Sequence, residues 1–328
     1  MTPSAGLEQS YELVKPQLAE LDHLLAEHFR SDTPHVHDML SYARKYSGKR
    51  LRPALVFLIG HICGGADEGH VKLGAVVEMI HLATLVHDDV LDRATMRRNA
   101  ASVNAAWNDK DAILLGDIIF ARAIRLLVSI GSPRAIDRLT GAVSLLCEGE
   151  IHQNQLCGDP TVDEATYESI IQRKTAALYS AGCEAAAELG GADEKTVQAF
   201  SDFGMSLGTA FQVIDDCLDV SGDEAVVGKS LGSDVVNGKM TLPLIRLLGS
   251  LDAERRAKVE ATIRATNPSV EDRGEITQWL QETGALESSF ARAEEMIEDS
   301  LAAVRKCVDP AWGAVLGEIA GFVLKRRR

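Results

Sequence analysis

The 328-residue chain is predicted to be all-α. Apolar residues recur at helical spacing along most of its length, proline is rare at nine residues, and alternating β-branched runs are scarce. There is no linker, low-complexity tract or repeat, so residues 1–328 read as one helical domain.

Leu18, Leu21, Leu24 and Leu25 form the apolar stripe of a first helix. Pro53 marks the start of a second, carrying Leu55, Val56, Leu58 and Ile59, and Gly64-Gly65 ends it. Residues 67–92 predict a long helix that is apolar on nearly every side from Val76 to Val86, as expected at the centre of a bundle. Further helices are predicted over about 109–130, 133–157, 163–190 and 193–221. A Gly-, Ser- and Asp-rich loop follows over 221–238. Shorter helices are expected at about 239–250, 252–265, 270–283, 285–307 and 311–325. Pro243 is expected to set a helix start or kink.

The formal net charge of −14 opposes nonspecific attraction to nucleic acid or anionic lipid. Any polyanion must therefore be met by local positive charge. The six cysteines show no Cys-x-x-Cys spacing, which speaks against a zinc or redox site and for reduced, buried thiols in a cytoplasmic protein. Residues 1–20 lack the basic-then-apolar pattern of a secretory leader. Apolar stretches broken by His61 or Asp117 are expected to fall short of a membrane span.

Two acidic clusters stand out. His87-Asp88-Asp89-Val90-Leu91-Asp92 closes the long apolar helix, and Asp88 and Asp92, at i and i+4, share a face. Asp89 points about 100° away. The pattern returns at Asp215-Asp216-Cys217-Leu218-Asp219, after Phe211, Val213 and Ile214 and 127 residues downstream. One such cluster reads as surface charge; two, each closing an apolar helix, point to hard oxygen ligands for Mg²⁺ that bridges carboxylates to phosphates. Positive charge is placed locally in Gly48-Lys49-Arg50-Leu51-Arg52-Pro53, in Arg97-Arg98, and at Lys174, Lys229 and Lys239. His81, Thr84, Asp88 and Asp92 line one helix face, and Gln212 shares a face with Asp215 and Asp219.

Together these segments resemble the trans-type (all-E) polyprenyl diphosphate synthase family. The resemblance runs from about Gly48 to Leu324 and includes Gly228-Lys229-Ser230-Leu231-Gly232-Ser233-Asp234 and Gly238-Lys239 with Thr241-Leu242-Pro243. It implies the isoprenoid synthase helical bundle with a central active-site cavity, into which both aspartate rows would project, and a homodimer. It also implies a Mg²⁺-dependent prenyltransferase that extends an allylic diphosphate with isopentenyl diphosphate. By that resemblance Asp88, Asp92 and Asp215 hold about three Mg²⁺ ions when substrate is bound, with Asp216 and Asp219 in support. Lys49, Arg52, His81 and Arg98 look like the isopentenyl diphosphate site. Arg97, Lys174, Thr175, Gln212, Lys229 and Lys239 look like contacts to the allylic diphosphate. Asp88, Asp92, Arg97, Lys174, Asp215 and Lys229 would carry catalysis. Asn99 stands where the family commonly has glycine, and asparagine tolerates left-handed backbone angles.

In this family large aromatics just before the first cluster stop product growth. Here those places hold Ala83 and Thr84, so a product longer than fifteen carbons is expected. The released diphosphate is expected to take the proton lost after condensation. The rival readings are a short-chain farnesyl or geranylgeranyl diphosphate synthase, a terpene cyclase, and a non-catalytic subunit of a heteromeric synthase. Lys49, Arg52 and His81 oppose the second, and two intact clusters oppose the third.

Overall fold

A computed structural model describes residues 5–46, 48–221, 232–265 and 268–325. Among them helices dominate. The first are α1 (Ala5–Leu13), α2 (Lys15–His28), α3 (Pro34–Ala43), α4 (Leu51–Cys63) and α5 (Glu68–Leu91). A short antiparallel pair, β1 (Met96–Arg97) and β2 (Ala100–Ala101), precedes α6 (Val103–Ala106), α7 (Asp109–Ser129) and α8 (Pro133–Gln155). Helix α9 (Glu164–Ile171) passes through a π-helical turn, Gln172–Ala176, into α10 (Ala177–Leu189), and α11 (Glu194–Ser221) follows. The remainder comprises α12 (Ser233–Val236), α13 (Leu242–Ser250), α14 (Ala253–Arg264), α15 (Val270–Glu282), α16 (Ala285–Val304) and α17 (Pro310–Leu324).

The chain divides into two compact units, Pro3–Thr140 with Ala181–Ser201, and Gly141–Ser180 with Asp202–Arg328. The first is organised on α5. Its N-terminus is closed by a capping box, in which the Asp67 carboxylate accepts from the His70 backbone N–H at 3.2 Å. Its body, including Val76, Val77, Met79, Ile80 and Val86, is buried, and the helix packs on α2, α4 and α7. By length and composition α5 could cross a membrane, which the sequence reading overlooked. However, 72% of its apolar window is buried within the protein, as befits a core helix.

In the second unit α16 packs on α13, α15 and α17. Paired bonds from Arg246 to Glu164, both 3.0 Å, tie α13 to α9, and Arg292 reaches Glu168 at 3.0 Å to tie α16 to the same helix. Pro243 lies in the first turn of α13, so it starts a helix and kinks none. The six cysteines are unbridged. Cys183 and Cys217 are buried, whereas Cys147 and Cys157 are exposed, so the expectation of buried thiols holds only in part.

Candidate active site

The first acidic cluster ends α5. Asp92 is its C-cap, with its backbone N–H donating to the Asp88 carbonyl at 2.8 Å. The helix therefore stops at the cluster, leaving Asp88 half-buried and Asp92 exposed. The 100° offset sends Asp89 inward, where it is 0% exposed. There Arg97 donates to Asp89 Oδ1 from Nε at 2.9 Å and from Nη2 at 2.5 Å. Tyr46 closes this bracket. Its phenol oxygen accepts from the Val103 N–H at 2.7 Å, and burial followed by the charge of Asp89 raises its pKa. Burial also raises Asp89, against the pull of Arg97. Arg97, expected on the allylic diphosphate, is thus held by a carboxylate of the cluster itself.

Arg98 and Asn99 have φ of 52° and 62° and form the two-residue turn between β1 and β2. Two positive-φ residues in such a loop give the primed turn that matches strand twist, and asparagine suits it. The Arg98 guanidinium lies over Gly48, where a Cβ would come within 2.5 Å of Nη2, so a larger residue there would push that guanidinium aside. Lys49 is exposed and Arg52 half-buried. The Lys49 carbonyl accepts from the Tyr11 hydroxyl at 2.5 Å. His81, two turns before the cluster, is half-buried. Burial and then Arg52, Arg98, Arg97 and Arg50 push its imidazole well below its usual pKa, so it is neutral at pH 7. Three of the sequence-predicted cations, Arg52, Arg98 and Arg97, are thereby gathered around the neutral His81. Ala83 is buried, and the Thr84 hydroxyl donates to the His81 carbonyl at 2.8 Å.

The second cluster, on α11, is built differently. Asp215 is half-buried, whereas Asp216 and Asp219 are buried. Asp216 accepts from the Tyr167 hydroxyl at 2.6 Å and from Gln212 Nε2 at 2.7 Å, and Gln212 Oε1 accepts from the Thr175 hydroxyl at 2.9 Å. Burial, then the charge of Asp234, pushes the Asp216 carboxyl up to about 8 despite these bonds, and Asp215 adds to the effect. Asp219 accepts from the Ser233 hydroxyl at 2.7 Å and the Asp234 N–H at 3.0 Å, which pins the start of α12 to α11.

Lys174 and Thr175 lie in the π turn. The extra residue in such a turn re-aims side chains and is frequent at functional sites. It fits because α8 has Gly149 beneath it, where a Cβ would lie 2.7 Å from the Lys174 nitrogen. The Lys174 ammonium pairs with Glu150 and donates to Gln153 Oε1 at 2.9 Å. Lys239 is 8% exposed, and its N–H donates to the Asp234 carbonyl at 2.8 Å. Lys229 and most of the segment around it lie outside the described residues.

Sequence reading did not single out Tyr46, Tyr167, Glu150 or Gln153. No local pattern marks them, since each matters through a partner distant in sequence or on another element. Among the described residues, no three carboxylate, imidazole or thiol groups gather to hold a metal ion by themselves. Asp88 and Asp215 are half-buried and Asp92 is exposed, and carboxylates are hard oxygen donors of the kind that suits Mg²⁺.

A family model described as polyprenyl synthetase matches residues 33–282. The chain is 33% identical to the octaprenyl diphosphate synthase of Escherichia coli (strain K12) over 325 residues, 98% of this chain and 100% of that one. It is 33% identical over 314 residues to the all-trans-nonaprenyl-diphosphate synthase (geranyl-diphosphate specific) of Rhodobacter capsulatus, covering 95% of this chain and 96% of that one. Its structure superposes on the polyprenyl synthase of Caulobacter crescentus CB15, solved with calcium and isoprenyl diphosphate. The TM-score is 0.95 at 31% identity, covering 100% of this chain and 99% of that one.

Proposed function

The chain belongs to the polyprenyl synthetase family, and from that premise we propose that it is a prenyltransferase condensing isopentenyl diphosphate with an allylic diphosphate. The product is a trans-polyprenyl diphosphate longer than fifteen carbons, in keeping with relatives named for octaprenyl and nonaprenyl products. One observation carries the mechanistic part: like charge accumulates at two places. Arginines surround a neutral His81, and carboxylates surround Asp216. A surplus of one sign in a partly buried site favours a ligand of the other sign, here a diphosphate and a cation respectively.

In this reading Lys49, Arg52, His81 and Arg98 hold isopentenyl diphosphate. Arg97, Lys174, Thr175, Gln212 and Lys239, with Lys229, hold the allylic diphosphate. Mg²⁺ bound through Asp88, Asp92 and Asp215 would neutralise charge on the departing diphosphate. The basic side chains stabilise that same charge by hydrogen bonds as the allylic C–O bond breaks. The double bond of isopentenyl diphosphate attacks the allylic carbon, and the proton then lost passes to the released diphosphate. Lys174 would exchange Glu150 and Gln153 for phosphate oxygens, and Arg97 would share itself between Asp89 and the substrate.

Residues 1–328 would act as one catalytic domain, with both compact units needed for turnover. A homodimer is proposed, with the exposed neighbours Ile113 and Leu114 on α7 as candidate contacts to a second copy. The unbridged thiols suit a reducing, cytoplasmic setting. The decisive experiment incubates the purified chain with labelled isopentenyl diphosphate, Mg²⁺ and each short allylic primer, and reads product mass. Products stopping at fifteen or twenty carbons would favour a short-chain synthase instead. No condensation by the chain alone would favour a non-catalytic subunit.

A further inference from the structure

Glu78 belongs to none of the sets above. It lies within the apolar run of α5, between Val77 and Met79, and is only 7% exposed. A carboxylate there requires a partner, because burying an unpaired charge is prohibitively unfavourable. The partner is Arg50, whose Nη1 donates to Glu78 Oε1 at 2.7 Å while Nη2 donates to Asp22 Oδ1 at 3.1 Å. Asp22 is largely exposed, so Glu78 is the buried end of this bridge.

The backbone of Arg50 is unusual as well. Its φ of 54° and ψ of 34° are left-handed, a conformation unfavourable for a residue with a Cβ and kept only where surrounding contacts over-determine it. Arg50 is the N-cap of α4, between Lys49 and Arg52. The Tyr11 bond to the Lys49 carbonyl holds the same short segment from another side, and the Arg98 guanidinium lies close over Gly48. On α5, Glu78 lies three residues before His81 and so shares its face. The charge of Glu78 also acts on Arg98, opposing the repulsion of Arg97, Arg50 and Arg52.

We propose that Glu78 is a positioning residue for isopentenyl diphosphate: by holding Arg50 against α5 it sets Lys49 and Arg52 in register with His81. This rests on the prenyltransferase reading. Arg50, although flanked by the substrate-binding cations, is then the anchor of their segment, with its guanidinium held by Glu78 and Asp22.

The test uses the full chain with Glu78→Gln and Glu78→Asp. Initial rates are measured against isopentenyl diphosphate at saturating allylic primer, then the reverse, with Tm recorded for each variant. Glu78→Gln is expected to raise KM for isopentenyl diphosphate about tenfold or more, the effect of losing one charge-assisted contact. KM for the allylic primer should stay within about twofold, since a uniform loss would point to general disruption. Glu78→Asp, which keeps the charge, should recover much of the difference. An unchanged KM for isopentenyl diphosphate, or a parallel rise for both substrates, would overturn the inference and leave Glu78 a purely structural ion-pair partner. Should Glu78→Gln not fold, Arg50→Lys keeps the cation but loses the planar fork, and the same split is read there. No turnover by the unaltered chain would sink the prenyltransferase reading and this inference with it. Turnover without the split sinks only the inference.

Discussion

Asp88-Asp89-Val90-Leu91-Asp92 and Asp215-Asp216-Cys217-Leu218-Asp219 have the same spacing of aspartates, yet they keep different carboxylates near the surface. In the first, α5 ends at the cluster, so Asp88 and Asp92 stay half-buried and exposed, and only Asp89 is sunk into a bracket with Arg97 and Tyr46. In the second, α11 runs on to Ser221 and the returning chain places Ser233 and Asp234 on Asp219, while Tyr167 and Gln212 occupy Asp216. Only Asp215 remains half-buried. The spacing sets which carboxylates share a face; the chain beyond the helix end decides which become scaffolding.

The sharpest way to break this comparison is kinetic. Asp88→Ala and Asp215→Ala are each expected to lower turnover by about 10²–10³-fold at saturating Mg²⁺, as for loss of a group that stabilises transition-state charge. If both clusters serve one reaction, the double variant should fall far short of the product of the two losses. Asp216→Asn should cost much less turnover than Asp215→Ala. Equal losses at equal Tm would mean that burial does not separate ligand from scaffold.

Next in size is a stability contrast. Asp89→Ala leaves the Arg97 guanidinium without its buried partner and should destabilise by about 3 kcal/mol in urea unfolding. Asp216→Asn should cost less, because a carboxyl pushed up to about 8 is mostly neutral at pH 7 and little charge is removed. A larger loss at Asp216 would reverse the assignment of Asp89 as the more costly buried charge.

Ala83→Phe separates the first cluster from the helix that carries it. The site is 2% exposed, so the larger ring should cost about 1–3 kcal/mol by overpacking. Mass spectrometry of the products should show them shortened. An unchanged product distribution in the folded variant would remove Ala83 from the control of chain length.

The smallest effect concerns the neutral imidazole among arginines. His81 resists protonation in the folded protein, so the unfolded chain binds that proton more tightly. Stability should therefore fall as pH drops below about 6.5, by up to about 1.4 kcal/mol per unit. His81→Gln should flatten this loss, read as a smaller Tm change between pH 7.5 and 5.5. An identical acid-side slope would show that His81 charges freely, contrary to a surplus of cations around it.

Much of the scaffold was legible because helices report themselves locally. The expectation of 67–92 against the observed Glu68–Leu91 rests on an apolar run closed by Asp67 at one end and the acidic cluster at the other. The single helix expected over 163–190 is interrupted by the π turn at Gln172–Ala176, since that turn depends on the absence of a side chain at Gly149 on another helix. The β1–β2 pair was missed because two-residue strands have no period to detect. Its one signal was Asn99 beside Arg98, both at positive φ. On the candidate site, the sequence pointed to Asp88, Asp92 and Asp215 by their spacing, but it carried no sign of the Glu78 bond, whose partner Arg50 is 28 residues away.

The sequence alone determined the helical class, the placing of both aspartate patterns in the C-terminal turns of long helices, and the residues that share each helix face. These follow from bonds and contacts three or four residues apart, which any local window contains. The tertiary structure alone decided that Arg97 is held by Asp89, that Tyr167 occupies Asp216 from 49 residues away, and that Arg50 turns to Glu78. Burial of a charge is settled by whichever distant group can meet it out of water, and spacing along the chain carries no record of that meeting.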